Sequence, residues 1–161
     1  MKIVILGIGQ SLRSDDGAGL GAVHRWKETF PLTANNALLT ASETELPGLE
    51  LLNLLEGFDA AILVDAVQST AKPGTIHKLR EADILGFSET HQSAHGWGVA
   101  ETLQLARRLN IDLPRNILLI GIEGENFSPG ISLSQSICAA LDEVAQVIED
   151  SIKIFQDIPD Q

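Results

Sequence analysis

The stretch from Gly7 to Gly21, with the sequence GIGQSLRSDDGAGLG, constrains what this chain can fold into more than any other stretch. An apolar run from Ile3 to Leu6 leads into it, and an amphipathic segment from Leu20 to Phe30 follows it. An apolar run bounded by glycine is typical of a buried parallel strand, and residues 14–16 supply polar side chains that commonly begin a helix. We therefore predict a strand, a glycine-containing turn with two adjacent carboxylates, and a helix.

The two carboxylates of this turn, Asp15 and Asp16, affect which kind of ion the turn can bind. The Gly-Ile-Gly run at 7–9 matches the start of a dinucleotide-binding fingerprint, but Leu12 stands at the third glycine position. Two acids at a helix N-terminus would also repel a pyrophosphate, so the placement favours a cation over a phosphate. A structural alternative, in which the acids only cap the helix, stays open for this stretch taken alone.

Composition excludes several classes of function. The 161 residues carry a formal net charge of −11, which argues against nucleic acid or an anionic membrane as partner and permits a cation or a basic protein. The hydrophobic fraction of 44% is typical of a globular chain, and we predict one domain over residues 1–161 with a frayed tail after about residue 156. Because neither a signal peptide nor a membrane-spanning run is visible, we expect a soluble cytoplasmic protein.

Further apolar runs predict the remaining strands, at Ala37–Ala41, Ala60–Val64, Thr75–Leu79 and Asn116–Ile120. Amphipathic segments predict further helices, at Leu49–Leu55, Gly96–Arg108 and from Ser132 or Ser134 to about Phe155. The single cysteine, Cys138, is expected to be buried on the apolar side of the last helix. Residues 31–36 and 80–94 are predicted to be irregular. Strands that alternate with helices indicate an α/β sandwich around a mostly parallel sheet.

Three carboxylates stand at or just after the ends of predicted strands. Asp16 follows the first strand, Asp65 ends the third, and Glu123 follows the last. Such sheets bind ligands outside the carboxyl ends of their strands, so we expect these acids at one rim of the sheet. For Asp65 alone, the structural alternative is a turn acid that binds nearby backbone N–H groups.

His95, in the sequence SAHGWG just before a predicted helix, is the histidine that best complements these acids. His91 competes with it, whereas His24 and His77 fall within a predicted helix and strand and rank low. Taken alone, a histidine such as His95 is more often an ordinary loop residue than a functional one.

Asp16, Asp65 and His95 together offer two carboxylates and one imidazole. This set of donors suits a borderline divalent ion such as Ni²⁺ or Zn²⁺, with positions left open for water or substrate. The sequence has no G-x-S-x-G nucleophile elbow, no P-loop and no H-E-x-x-H motif. The residues therefore favour metal-linked chemistry over these other catalytic classes.

Four stretches of the chain together resemble the nickel–iron hydrogenase maturation proteases. They are GIGQSLRSDDGAG near the start, LVDAV followed by PGT, SAHGWGVAETL, and LLIGIEGENFSPGISLS. The resemblance runs from Met1 to about Val147. Members of this family are endopeptidases that remove a C-terminal peptide from the hydrogenase large-subunit precursor after nickel is inserted.

The resemblance implies a three-layer α/β/α sandwich with a mostly parallel, twisted sheet of about five strands. It carries the metal-contacting residues of the family onto Asp16, Asp65 and His95, the three residues chosen above. It also implies that the partner is the large-subunit precursor, that nickel is delivered within this substrate, and that no organic cofactor is needed. Because the substrate is itself a large protein, we expect the chain to act as a monomer.

One segment departs from the pattern of the family. Many members carry an acid-Gly-Gly-Thr run before the second helix, whereas this chain has Ser-Glu-Thr-Glu-Leu at 42–46. Glu43 or Glu45 is a candidate replacement for the acid, so the sequence leaves open which hydrogenase is processed. Trp97, close after the candidate histidine, is a candidate anchor for a protein partner.

Two other functions stay open at this point. A nucleotide- or phosphate-binding α/β module would use the Gly-Ile-Gly run at 7–9. A non-catalytic nickel chaperone would use Asp16, Asp65 and His95 as ligands without any cleavage.

Overall fold

A computed structural model describes residues 1–45, 48–84 and 98–158 of the chain. The strands are β1 (Ile3–Ile8), β2 (Leu39–Thr44), β3 (Ala60–Val67), β4 (Ile76–Arg80) and β5 (Asn116–Glu123). They form one sheet in the order β2-β1-β3-β5-β4, in which β4 runs antiparallel to β5 and the other neighbours are parallel. The ends of β1, β2, β3 and β5 therefore meet at one edge, which we call the carboxyl edge.

Helices cover both faces of the sheet. They are α1 (Ala18–Thr29), α2 (Pro31–Ala34), α3 (Glu50–Leu55), α4 (Val99–Arg108) and α5 (Gln135–Gln156), and residues 81–84 are also helical. One apolar core lies between the sheet and α1 with α5, and a second lies between the sheet and α3 with α4. This arrangement confirms the predicted three-layer α/β/α sandwich. Within the described part of the chain, no helix has the length and apolar character needed to cross a membrane.

The main difference from the sequence prediction concerns where the strands end. β3 continues to Val67 and β5 continues to Glu123, because the two strands remain paired as far as Val67 and Glu123, which lie opposite each other. Asp65 therefore lies inside β3, opposite Gly121, and not at the end of the strand as predicted. A buried backbone must keep its hydrogen bonds even where a polar side chain interrupts an apolar run, which explains the error.

Smaller differences occur in the helices. Pro31 begins the short helix α2 where we predicted a loop, in line with the preference of proline for the first helical position. Ser134 and not Ser132 caps α5, since its hydroxyl accepts from the N–H of Ile137 at 3.4 Å. Cys138 is exposed, so the prediction of a buried thiol is wrong. It follows the buried Ile137 by one position, which turns it about 100° away from the apolar stripe.

Two glycines let α1 lie close against the sheet at the carboxyl edge. A Cβ atom on Gly19 would overlap the carbonyl oxygens of Val64 in β3 and Ile8 in β1. A Cβ atom on Gly7, in β1, would lie 2.5 Å from the carbonyl oxygen of Gly19. Side chains at these positions would push the helix away, so the glycines hold the start of α1 against β1 and β3.

We predict that Gly19→Ala lowers the free energy of unfolding by about 3 kcal/mol, because the added methyl group meets backbone oxygens that move only if helix and sheet separate. Gly21→Ala in the same helix is the matched control. Its Cβ would lie 3.2 Å from the flexible Leu133 side chain, and alanine gains about 1 kcal/mol in helix propensity. Urea denaturation followed by circular dichroism measures both values, and equal stability of the two variants would contradict this packing.

Candidate active site

The turn that carries the two acids leaves β1 at the carboxyl edge and forms one turn of 3-10 helix, Ser14–Gly17. Gly9 permits this fold, because a Cβ atom there would overlap the carbonyl oxygen of Asp16, and its φ of +152° is one that side chains disfavour. The Gly-Ile-Gly run thus packs against its own turn. This close packing takes up the space that a bound phosphate would need beside Gly9.

Asp15 is fully buried and binds a loop that is distant in sequence. Its Oδ1 accepts from the N–H of Ser134 at 2.7 Å, and its Oδ2 accepts from the N–H groups of Glu125 and Asn126 at 3.0 and 3.1 Å. The N-cap positions of the 3-10 turn and of α1 belong to other residues, which carry no side-chain cap. Asp15 is therefore structural, as the alternative interpretation held, but through tertiary contacts and not as a helix cap.

The pKa of the Asp15 carboxyl reflects two opposing effects. Burial by itself raises this pKa, because it disfavours the charged form. The N–H groups of Ser134, Glu125 and Asn126, together with the Ser134 hydroxyl, outweigh burial and hold the pKa below its ordinary value. The ionised carboxylate therefore stabilises the folded protein.

The loop of residues 124–134, between β5 and α5, is bound to the turn along its length. The N–H of Ser14 donates to the carbonyl oxygen of Gly130, and the N–H of Gly130 donates to that of Leu12, both at 2.9 Å. The N–H of Asp15 donates to the carbonyl oxygen of Asn126, also at 2.9 Å. Ser14 has a φ of +51°, a conformation that a non-glycine residue keeps only where its surroundings enforce it. The turn is thus rigidly held by its partners.

Asp16 and Asp65 lie on elements that pack together at the carboxyl edge. Asp16 is 0% exposed and lies one helical turn before Gly19. Gly19 packs against the carbonyl oxygen of Val64, the residue before Asp65 in β3. The 3-10 turn itself contacts β3. Asp65 is 9% exposed, and its Oδ1 accepts from the N–H of Ala66 at 2.8 Å, the kind of contact that the structural alternative required. Two buried carboxyl groups are therefore carried by neighbouring elements at this edge.

His95, the third predicted site residue, lies outside the described residues, as do His91 and Trp97. Among the residues that the structure describes, no group of three or more His, Cys, Asp and Glu side chains is arranged to hold a metal ion. A metal ion bound by Asp16 and Asp65 would need at least one further donor, from outside the described residues or from a bound substrate.

Glu123, which we expected at the same rim, has partners of its own there. Its side chain is 1% exposed, and its Oε2 accepts from the hydroxyl of Ser69 at 2.7 Å and from Nε2 of His77 at 3.0 Å. The N–H of Ser69 donates to Oε1 of the same carboxylate. This network ties the connection between β3 and β4 to the end of β5. From the sequence we ranked His77 low, although it lies on the same face of β4 as Leu79, which packs against the second core.

The two acids of the divergent segment have different environments. Glu43 accepts from Nζ of Lys27 in α1 at 2.9 Å. Glu45 accepts from the N–H of Ser11 at 3.3 Å and so touches the segment that leads to Asp16. A role for either acid in the choice of substrate stays a prediction, and the contact with Ser11 favours Glu45.

We predict that Asp15→Asn lowers the free energy of unfolding at pH 7 by about 2 kcal/mol, because an amide nitrogen would face backbone donors and the charge that they bind would be lost. Since the folded-state pKa of Asp15 is depressed, its stabilising effect is present above its ordinary pKa of about 3.9. The effect is lost as the pH falls through the lower folded-state pKa. Urea denaturation at pH 7 and below pH 4 measures both.

The control for this prediction is Asp142→Asn. Asp142 is exposed on α5 and forms a surface ion pair with Arg25 at 3.0 Å, which contributes little to stability. An Asp15→Asn variant as stable as this control at pH 7 would contradict the role assigned to Asp15.

The chain is similar to known proteins in sequence and in structure. The family model described as hydrogenase maturation protease (HycI) matches residues 45–151. The hydrogenase expression/formation protein HupD of Rhodobacter capsulatus is 32% identical over 154 residues, which cover 92% of this chain and 70% of that protein. The hydrogenase 2 maturation protease of Escherichia coli (strain K12) is 28% identical over 156 residues, which cover 94% of this chain and 93% of that protein.

Solved structures show the same fold. The hydrogenase maturating endopeptidase HybD from E. coli superimposes with a TM-score of 0.81 at 23% identity, covering 95% of this chain and 93% of that one. The [NiFe] hydrogenase maturation protease HybD from Thermococcus kodakarensis gives a TM-score of 0.73 at 26% identity, covering 93% and 98%. With the family model matching most of its length, the chain belongs to the hydrogenase maturation protease family and is a hydrogenase maturation endopeptidase.

Proposed function

We propose that this endopeptidase removes the C-terminal peptide of a nickel–iron hydrogenase large-subunit precursor after nickel insertion, and that Asp16, Asp65 and His95 contact this nickel. The observation that carries the proposal is the packing of the 3-10 turn, which bears Asp16, against β3, which bears Asp65. The substrate class is supported by the relatives, whose names include a [NiFe] hydrogenase maturation protease.

The chemistry of the donors supports nickel recognition. Carboxylate and imidazole groups together suit a borderline divalent ion, and the burial of Asp16 and Asp65 strengthens their interaction with a cation. The glycine contacts of α1 and the hydrogen bonds of Asp15 hold the turn in place. Because the turn is already ordered, little reorganisation is needed when a substrate arrives.

In this proposal the nickel is part of the substrate, bound to the cysteines of the precursor itself. Contact with Asp16, Asp65 and His95 aligns the scissile peptide and makes the presence of nickel the condition for cleavage. Two routes to hydrolysis follow. In the first, the metal polarises the scissile carbonyl or activates a water molecule, and in the second it serves recognition alone while a carboxylate acts as general base. The two routes are distinguished by measuring the cleavage rate of precursor loaded with other divalent ions. Only in the first route does this rate follow the Lewis acidity of the bound ion.

We predict that Asp16→Asn and His95→Ala each reduce the rate of processing by at least about 100-fold, because each removes a contact to the metal that aligns the substrate. Asparagine keeps the volume of the buried Asp16 side chain, so the fold should persist, as checked by circular dichroism. The precursor is weighed by mass spectrometry after incubation with each variant. Asp142→Asn, on the exposed face of α5, should process like the wild type, whereas full processing by both site variants would refute the assignment.

We also predict that cleavage depends on nickel in the precursor, because nickel is the group that these residues contact. Nickel-loaded and nickel-free precursor are each incubated with the protein, and the loss of a C-terminal peptide is measured by mass. Cleavage of the loaded form alone is the expected result. Equal cleavage of both forms would show that nickel is not recognised.

A further inference from the structure

Two large aliphatic side chains are exposed on the segments that hold the Asp16 turn. Leu12 is 67% exposed and Ile131 is 83% exposed. The other exposed large hydrophobic residues of the described chain lie elsewhere. A groove between α3 and α4 is lined by Leu49, Leu109 and Ile111, and a cavity beside β4 and α5 is lined by Ile154. The remaining two are Leu32, which lies in α2, and Leu38, which follows α2. Leu12 and Ile131 thus stand apart from these groups, at the carboxyl edge.

Backbone hydrogen bonds bring the segments of these two residues together. Arg13 and Gly130 form an isolated parallel bridge, closed by the hydrogen bonds between Gly130 and both neighbours of Arg13. The N–H of Gly130 donates to the carbonyl oxygen of Leu12 at 2.9 Å, which places Leu12 beside the segment that carries Pro129 and Ile131 on either side of Gly130. Pro129 is exposed as well. We call these three residues the apolar rim.

We propose that the apolar rim is the surface on which the hydrogenase precursor docks, an inference that rests on the proposed function. Leu12 lies four positions before Asp16, in the segment that leads into the 3-10 turn. A protein that covers the apolar rim is therefore brought directly to the carboxylate proposed to contact its nickel. Large aliphatic and aromatic contacts at the centre of an interface supply much of the binding free energy.

The charges around the rim specify the partner surface further. Glu45, which is bound to the N–H of Ser11, and Glu125, in the loop after β5, are both exposed and acidic. Together with a net charge of −11 on the whole chain, these two acids disfavour an anionic membrane or nucleic acid as the partner. The matching surface on the precursor presents apolar side chains surrounded by lysine and arginine.

The rim is also pre-organised for binding. Hydrogen bonds join residues 12–15 to residues 126–134 and hold the backbone of Leu12 and of the residues that flank Pro129 and Ile131. A surface that is already ordered loses little conformational entropy on association. Neighbouring exposed apolar side chains with a polar border are typical of an interaction surface.

The test uses the variants Leu12→Ser and Ile131→Ser, alone and combined, with nickel-loaded precursor as substrate. The combined variant should raise KM by at least about tenfold and leave kcat within about twofold, since docking and not chemistry is impaired. Leu32→Ser is the matched control, because Leu32 is 91% exposed on α2, which follows the far end of α1. This control should leave KM unchanged, and thermal unfolding should show equal stability for all variants.

Equilibrium binding of the precursor to each variant, followed by fluorescence anisotropy, separates this inference from the proposed function. Wild-type binding without cleavage would overturn the proposed function, while a weaker Kd for the combined variant would still support the apolar rim. An unchanged KM and Kd for that variant would overturn the rim as docking surface. A wild-type dimer in sedimentation that the combined variant abolishes would assign the rim to self-association and overturn the inference as well.

Discussion

The buried carboxylate of Asp15 is the contact on which the rest of the site depends. It accepts from three backbone N–H groups of residues up to 119 positions away, and its charge remains inside the protein because those donors replace water. Through this contact the turn after β1 and the loop after β5 become one rigid unit. Asp16 and the apolar rim both lie on that unit, so their positions are fixed by a residue with no proposed chemical role of its own.

A second constraint acts from the side of the sheet. Gly19 brings the start of α1 into contact with the backbone of β1 and β3, and this contact sets how close the 3-10 turn comes to Asp65. On the other side of β3, the carboxylate of Glu123 binds Ser69 and His77 and fixes the β3–β4 connection. The buried acids at the carboxyl edge thus have different partners. Asp15 and Glu123 bind the surrounding loops, whereas Asp16 and Asp65 are the acids proposed to contact the substrate.

Much of the fold was predictable because its signals are local. Apolar runs bounded by glycine and proline predicted all five strands, and amphipathic periods predicted α1, α3, α4 and α5. The ends of β3 and β5 were not predictable, because their pairing up to Val67 and Glu123 depends on a neighbouring strand and not on local hydrophobicity. Cys138 shows a similar limit, since one position along a helix separates a buried side chain from an exposed one.

Three properties could be inferred from the sequence alone: the order of the elements, the meeting of the carboxylates at one edge of a mostly parallel sheet, and the resemblance to a protease family. The structural role of Asp15 became visible only in the folded chain, since both acids of the pair Asp15–Asp16 stand at the same predicted helix start. The N–H donors that select Asp15 lie more than 100 positions away, in a loop that reaches the turn only when β1 and β5 are assembled in one sheet. Hydrogen bonds between such distant residues follow from the packing of the whole chain, whereas helix and strand preferences follow from near neighbours.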